Sequence, residues 1–212
     1  MKTLIAVPTM DMVHTMFFAS VMQLKKVGDI ELSVTASSLI YDARNALARK
    51  AIEGGFGRIL WLDSDMMFEP DLMERLSARI DEGCEYVSAL YFKRKAPIEP
   101  VIYKACGSRE ENGQTIPFAD SYTDYPDSLF EIAASGFGGV MVTTALVKRV
   151  AETYGLPFSP ILGFGEDLSF CCKVARLGVK MYCDPTIKMG HVGYHVFDEN
   201  DFILKGVKQW NV

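Results

Sequence analysis

Two carboxylates follow an apolar run in residues 59–70, ILWLDSDMMFEP. One serine separates Asp63 from Asp65, so on an extended chain both side chains lean to the same side. Carboxylates in that arrangement suit a hard divalent cation, or a cation together with a ribose hydroxyl. An isolated Asp-x-Asp is also common as a solvated acidic turn. The four apolar residues before Asp63 favour a metal site at the rim of a buried strand.

His191 follows Gly190 in the segment GHVGYH. Its HxxxH spacing with His195 is that of a helical zinc site, but the interleaved glycines argue against a helix there. A mixed Asp and His ligand set on irregular backbone favours Mn2+ or Mg2+ instead. A structural role for a lone histidine is the alternative.

Glu166 and Asp167 begin a predicted helix after the flexible LGFG segment. Acidic residues are favourable in a first turn because of the helix dipole, and many have no further role. The other interpretation is a general base, a carboxylate held in a crevice to take a proton from an attacking hydroxyl. The residues alone leave both interpretations open.

Arg44 and Asn45 lie near the start of another predicted helix, in the segment DARNAL that begins at Asp42. Backbone amides at a helix N-terminus and a guanidinium can bind a phosphate or a nucleotide base. The alternative is an exposed arginine without a ligand.

Short apolar runs alternate with helical patterns in the first part of the chain, with runs at 3–7, 32–36 and 59–62. This rhythm predicts βαβ units and a parallel sheet with helices on its faces. The ligand crevice of such a sheet lies at the carboxyl ends of its strands, which is where Asp63 and Asp65 stand. Further helices are predicted at 144–154 and from Glu166 onward.

Residues 104–128 are polar and rich in Gly, Pro and Asp, which predicts a mobile lid or substrate-selecting loop. A disordered excursion without function is the alternative. We expect a single domain over residues 1–212, with this loop and a short C-terminal tail at 197–212.

The chain has 212 residues, 49% of them hydrophobic, and a net charge of -5, which fits one globular core and argues against a nucleic-acid partner. A local basic cluster, Lys93-Arg94-Lys95, can still hold a phosphorylated small molecule.

Five cysteines without a CxxC pair favour a reducing compartment. The N-terminus is too short for a signal peptide, and the apolar stretch 12–24 is too short for a transmembrane segment, so we expect a buried helix there. We expect a cytoplasmic protein, with peripheral membrane contact left open.

The motifs occur in a specific order: VPT at a strand end, ARN on a helix, DSD, a Gly-rich turn, EDLSFCCKVARLG and GH. Over residues 3–193 this order resembles the family 2-like glycosyltransferases of the GT-A fold. Residues 163–193 are also similar to polypeptide GalNAc-transferase-type enzymes. The resemblance implies an α/β fold of the GT-A (nucleotide-diphospho-sugar transferase-like) type, with a mostly parallel central sheet flanked by helices.

The resemblance also implies roles for the acidic residues and the histidine. Asp65 would bind a divalent cation that bridges the nucleotide diphosphate, Asp63 would contact ribose or metal, and His191 would complete the metal shell. Glu166 and Asp167 would supply the catalytic base in inverting members, or bind the acceptor or donor sugar in others.

The nucleotide sugar would meet a second group of residues. Pro8 and Thr9 would border the base and ribose pocket, with Arg44 beside them. Many family 2 enzymes carry an acidic residue at the end of the second strand, where this chain has Ala36-Ser37-Ser38, and Asp42 is a possible substitute. Further expected contacts are Asn45, Ser64, Gly138 and Gly139.

The implied function is metal-dependent transfer of a sugar from a nucleotide-diphosphate donor to a hydroxyl acceptor, with Mn2+ or Mg2+. The acceptor, whether glycan, lipid-linked sugar or protein, stays open, as do the anomeric outcome and the oligomeric state. Two alternatives remain: a metal-dependent nucleotidyltransferase or phosphohydrolase that uses the same Asp pair, and a non-catalytic sugar-nucleotide-binding module.

Overall fold

The computed structural model of the chain describes residues 1–193 and 195–203. Its strands are β1 (Thr3–Thr9), β2 (Ile30–Ala36), β3 (Arg58–Leu62), β4 (Met66–Phe68), β5 (Tyr86–Leu90), β6 (Ile102–Glu111), β7 (Gln114–Ser121), β8 (Phe130–Ile132), β9 (Ala134–Ser135), β10 (Gly139–Thr143), β11 (Met181–Val192) and β12 (Val196–Phe197). Its helices are α1 (Thr15–Gln23), α2 (Ile40–Glu53), α3 (Leu72–Asp81), α4 (Thr144–Tyr154), α5 (Glu166–Arg176) and α6 (Glu199–Ile203).

The central sheet has the strand order β12-β11-β5-β10-β3-β1-β2, and β4 and β8 also pair with β11. β1 runs parallel to β2 and β3, and β11 runs parallel to β5. β10 is antiparallel to both of its neighbours, β3 and β5. The predicted α/β architecture, a mostly parallel central sheet flanked by helices, is confirmed.

Alternate residues of the central strands point into two separate cores. Trp61 of β3 faces the layer of α2, α4 and α5, where it packs with Phe158 and Phe170 in one cluster. Leu60 faces the opposite layer of α1 and α3, where it packs with Phe17. Because both faces are covered, β3 is apolar from its second residue, Ile59, to its end at Leu62.

Helix α1 differs from its prediction as a buried helix. It turns Phe17 and Ser20 inward, but Phe18 and Met22 are 56% and 69% exposed. The segment is apolar on all sides and carries no charge that would mark its outer face, so its sequence does not reveal which side is covered. No helix in residues 1–193 and 195–203 has the length and apolar character needed to cross a bilayer.

Most of the expected loop at 104–128 is a β hairpin. β6 and β7 pair in antiparallel register and are joined by Asn112 and Gly113, whose φ angles of 53° and 75° are both positive. Two positive φ angles define the type I′ turn that matches the twist of a hairpin, and Asn-Gly is its preferred sequence. β6 also pairs with β9, which ties the hairpin to the domain. Of the predicted tail at 197–212, residues 204–212 lie outside the described residues.

Candidate active site

A cleft of about 750 Å³ opens where β1, β3 and β5 end. This is the edge of the sheet at which α/β folds bind ligands. The cleft brings together most of the residues that the sequence singles out: Pro8, Thr9, Arg44, Asp63, Ser64, Asp65, Glu166, Asp167 and His191.

Backbone hydrogen bonds fix the turn that carries the two aspartates. The amide of Asp63 donates to the carbonyl of Gly138 at 3.3 Å, and the amide of Met66 donates to the carbonyl of Asp63 at 3.3 Å. The carbonyl of Asp65 accepts from the amide of Val192 at 2.8 Å. The turn is therefore anchored to β10 on one side and to β11 on the other.

The pairing of β4 with β11 brings His191 to Asp65. In the register of these strands His191 lies opposite Met66, the residue that follows Asp65. As a result, Nε2 of His191 is 3.5 Å from Oδ2 of Asp65. Nδ1 of His191 lies 2.9 Å from the carbonyl oxygen of Phe92, which can only accept, so Nδ1 carries a proton. Nε2 is therefore the ring nitrogen that faces Asp65.

The pair of Asp65 and His191 fits a divalent cation. Ligands at neighbouring positions of an octahedral ion with bonds of about 2.1 Å lie about 3 Å apart, close to the separation of these two atoms. A metal-binding histidine usually donates its other ring N–H to a carbonyl, as His191 does. No group of three or more His, Cys, Asp and Glu side chains suited to a metal occurs in the described part of the chain. A cation held by these two side chains would need its other ligands from outside the protein.

Arg94 lies on the same carboxylate oxygen. Its Nη1 is 2.5 Å from Oδ2 of Asp65 and 3.4 Å from the carbonyl oxygen of Val192. Partial burial of Asp65 opposes its ionisation, but the hydrogen bond and charge of His191 and the charge of Arg94 outweigh it, so the pKa of Asp65 falls below its ordinary value. The carboxylate therefore favours its ionised form, paired with Arg94.

Arg44 joins Asp63 to the acidic pair on α5. Its Nη2 donates to Oδ1 of Asp63 at 2.7 Å, and its Nε donates to Oε1 of Glu166 at 3.0 Å. The Arg44 side chain is 3% exposed, so its guanidinium is buried, whereas the Asp63 side chain is 32% exposed. The guanidinium carbon also lies 5.2 Å from the ring centroid of Phe137 and 5.8 Å from that of Trp61. Arg44 is therefore a buried cation that links the two carboxylates.

Asp167 has the properties of a general base. Burial, followed by the charge of Glu166, raises its pKa to about 6, although the Leu168 amide that donates to Oδ1 at 2.7 Å and the charge of Arg44 oppose the shift. A base with a pKa near the working pH is both deprotonated and able to take a proton. Glu166, in contrast, is tied to Arg44.

A basic and aromatic wall completes the cleft. Lys93, Arg94 and Lys95 line it directly after the end of β5, together with Tyr91 and Tyr103. The sequence shows the basic cluster but not its position. The basic cluster follows an apolar strand in the sequence, and the strand-end rule could therefore have predicted that it lies at the cleft. Met10, Asp11 and Met12 line the cleft as well and had no such signal.

Four predicted contacts do not line the cleft. Asp42 is exposed in the first turn of α2, and Oδ1 of the buried Asn45 accepts from the amide of Phe158 at 2.9 Å. Gly138 holds Asp63 through its carbonyl, and a Cβ at Gly139 would lie 2.1 Å from Sδ of Met189. The two glycines therefore allow the close packing under the aspartate turn.

No protein-family model matches the sequence, and no curated protein shows significant similarity to it. Solved structures do resemble it. A197 from STIV superposes with a TM-score of 0.63 at 16% identity, over 91% of this chain and 86% of that one. GalNAc-T7 with UDP, GalNAc and Mn2+ gives 0.52 at 12% identity, over 87% of this chain and 37% of that one. S. aureus TarS 1-349 gives 0.50 at 16% identity, over 88% of this chain and 61% of that one.

These likenesses concern the fold, and the chain spans less than two thirds of the GalNAc-T7 and TarS chains. The predicted GT-A-like fold is confirmed by its match to these glycosyltransferase structures.

Proposed function

We propose that the chain is a metal-dependent glycosyltransferase that moves a sugar from a nucleotide-diphosphate donor to a hydroxyl acceptor. The observation that carries the proposal is that one cleft holds two kinds of group. Asp65 and His191 are candidate ligands for a divalent cation, and Asp167 is a carboxylate with a raised pKa. Glycosyl transfer needs both, since charge develops on the leaving diphosphate while the acceptor hydroxyl loses a proton.

Each wall of the cleft has a task in this reaction. Asp65 and His191 would hold Mn2+ or Mg2+, which when bound neutralises the charge of the leaving diphosphate. Lys93, Arg94 and Lys95 add fixed positive charge for the phosphates. Asp167 takes the proton of the acceptor hydroxyl. Arg44 holds Asp63 and Glu166 in place, so that Asp63 presents its second oxygen to the donor.

A structural neighbour suggests the donor class, and the lining of the cleft suggests where donor and acceptor would lie. The GalNAc-T7 structure contains UDP, GalNAc and Mn2+, which supports a UDP-sugar as the first donor to test. Pro8 and Thr9 lie at the end of β1 and line the cleft, where they would border the base and ribose. Tyr103 from the hairpin also lines the cleft and would face the acceptor hydroxyl. We place the enzyme in the cytoplasm, because all five cysteines are free.

Thermal unfolding with nucleotide sugars tests this proposal. UDP-, GDP-, CMP- and dTDP-sugars are each added with and without Mn2+, and a ligand at about 100 times its Kd adds about 2.7 kcal/mol. We expect one nucleotide to raise the melting temperature only with Mn2+, and the Asp65→Asn variant to lose that rise. If no combination of nucleotide sugar and Mn2+ raises the melting temperature, the proposed donor site is contradicted. Release of phosphate or pyrophosphate in place of nucleoside diphosphate would indicate the hydrolase or nucleotidyltransferase alternative.

A further inference from the structure

Two cysteines from distant parts of the chain lie in contact beside the cleft. Sγ of Cys106 on β6 is 3.5 Å from Sγ of Cys172 on α5. Both thiols are free. The neighbouring Cys171 points the other way, into the core, where its Sγ is 3.5 Å from the hydroxyl of Tyr86. The contact therefore involves one defined pair.

The pair is chemically asymmetric. A hydrogen bond from Cys106 lowers the pKa of Cys172 to about 7, and Arg176 one turn further along α5 lowers it as well, while burial opposes both effects. The same hydrogen bond, followed by burial, raises the pKa of Cys106. Near neutral pH, Cys172 supplies the thiolate, which is the reactive form of cysteine, and Cys106 supplies the thiol that stabilises it.

We propose that Cys106 and Cys172 form a reversible disulfide that fastens the β6–β7 hairpin to helix α5. The oxidant is a low-molecular-weight disulfide such as oxidised glutathione. The Cys172 thiolate attacks one sulfur of the oxidant, which forms a mixed disulfide and releases one thiolate. That thiolate takes the proton of Cys106, whose sulfur then attacks the sulfur of Cys172 and releases the second half of the oxidant as a thiolate. The two protein sulfurs are oxidised to a disulfide, and the small disulfide is reduced to one thiol and one thiolate.

The bond would connect two walls of the cleft. Helix α5 carries Asp167 five residues before Cys172, and β6 carries Tyr103 three residues before Cys106. Both Asp167 and Tyr103 line the cleft. The disulfide would also close a long loop, since its cysteines are 66 positions apart, and a closed loop restricts the unfolded chain. Oxidation should therefore stabilise the domain and fix the wall that holds the base.

Intact-mass spectrometry and thermal unfolding in glutathione redox buffers test the proposal without any sugar donor, so the result is independent of the proposed function. We expect loss of the mass of two hydrogen atoms, a peptide that joins residues 106 and 172, and a rise in melting temperature of roughly 5–15 °C. Dithiothreitol should reverse all three changes.

Matched variants assign the bond. Cys106→Ser and Cys172→Ala should each abolish the mass loss and the rise, whereas Cys84→Ser should retain both, because Cys84 lies elsewhere, after α3. A mass loss that persists in Cys106→Ser overturns the pairing. A disulfide that forms without a change in melting temperature overturns its role as a fastener, and a pair that stays reduced in fully oxidised glutathione overturns the proposal as a whole.

Discussion

Asp65 and His191 approach each other to 3.5 Å, between Oδ2 and Nε2, although the two residues lie far apart in the chain. To hold a divalent cation, both groups would have to offer a free lone pair, which a proton removes. Binding of Mn2+ should therefore weaken at low pH.

The first prediction concerns His191→Gln, which removes the Nε2 ligand. We expect the affinity for Mn2+, measured by titration calorimetry with UDP present, to fall about 10- to 100-fold. His195→Gln is the matched control, since His195 is exposed, bonds to Asp201 and does not line the cleft. Equal Mn2+ affinity in the His191 variant and the control would remove His191 from the metal site.

Arg94→Ala should change metal and nucleotide binding in opposite directions. The arginine occupies the Asp65 oxygen that the cation needs, so its removal should tighten Mn2+ binding without nucleotide by about 2- to 5-fold, the worth of an exposed ion pair. UDP binding in the presence of Mn2+ should weaken, because a positive charge near the phosphates is lost. Calorimetry measures both, with the exposed Arg109→Ala as control. A change of both affinities in the same direction would contradict this role.

Arg44→Met should destabilise the fold. It leaves Asp63 and Glu166 without their shared buried partner, a change that costs about 3 kcal/mol in the free energy of unfolding. Urea unfolding measures the loss. Arg49→Met on the exposed side of the same helix should cost little. If the two variants are equally stable, the ion pairs of Arg44 do not stabilise the fold.

The pKa of Asp167 predicts the pH dependence of transfer. Only the deprotonated carboxylate accepts a proton, so kcat/KM should rise about tenfold per pH unit below about pH 6 and level off above it. Asp167→Asn should abolish transfer but retain Mn2+-dependent donor binding, while Asp42→Asn, exposed outside the cleft, should leave the profile unchanged. Full transfer by the Asp167 variant would assign the base elsewhere.

The same pKa affects stability with a defined sign. Because the folded-state value of about 6 lies above the ordinary 3.8, the folded chain binds this proton more tightly, and the stability it adds is lost as pH rises through 6. Asparagine has no carboxyl group to titrate, so the Asp167→Asn variant lacks this pH-dependent loss of stability. Between about pH 4.5 and about pH 7.5, the variant should therefore lose less stability in urea unfolding than the parent, by at most about 3 kcal/mol. A parallel loss in both proteins would argue against the raised pKa.

Local patterns in the sequence predict local structure well. The helix expected at 144–154 matches α4, and the run at 59–62 lies within β3, since apolar periodicity and stop signals operate over neighbouring residues. The direction of β10 was not predictable, because an apolar run reads the same in a parallel and an antiparallel strand. The hairpin was missed although Asn112-Gly113 marks its turn, since the composition of the flanking segment points to a loop.

The candidate site was also only partly predictable from the sequence. The strand-end rule predicts Asp63 and Asp65 at a ligand edge, and in the structure both residues follow β3 and line the cleft. Burial of Arg44 could not be predicted, because its partners lie 19 and 122 positions away. Tyr103 was missed for a related reason, since it reaches the cleft only through the hairpin.

The reversed strand β10 has a consequence for how the domain assembles. Within the described residues, β2-β1-β3 and β5-β11 form the two parts of the central sheet, and β10 lies between them and pairs with β3 and β5. Asp65 follows one part and His191 ends the other. Contacts between residues far apart in the chain slow folding. The contact of Asp65 with His191 requires the pairing of β4 with β11, so recovery of Mn2+ binding should be a late event in refolding, after helix formation.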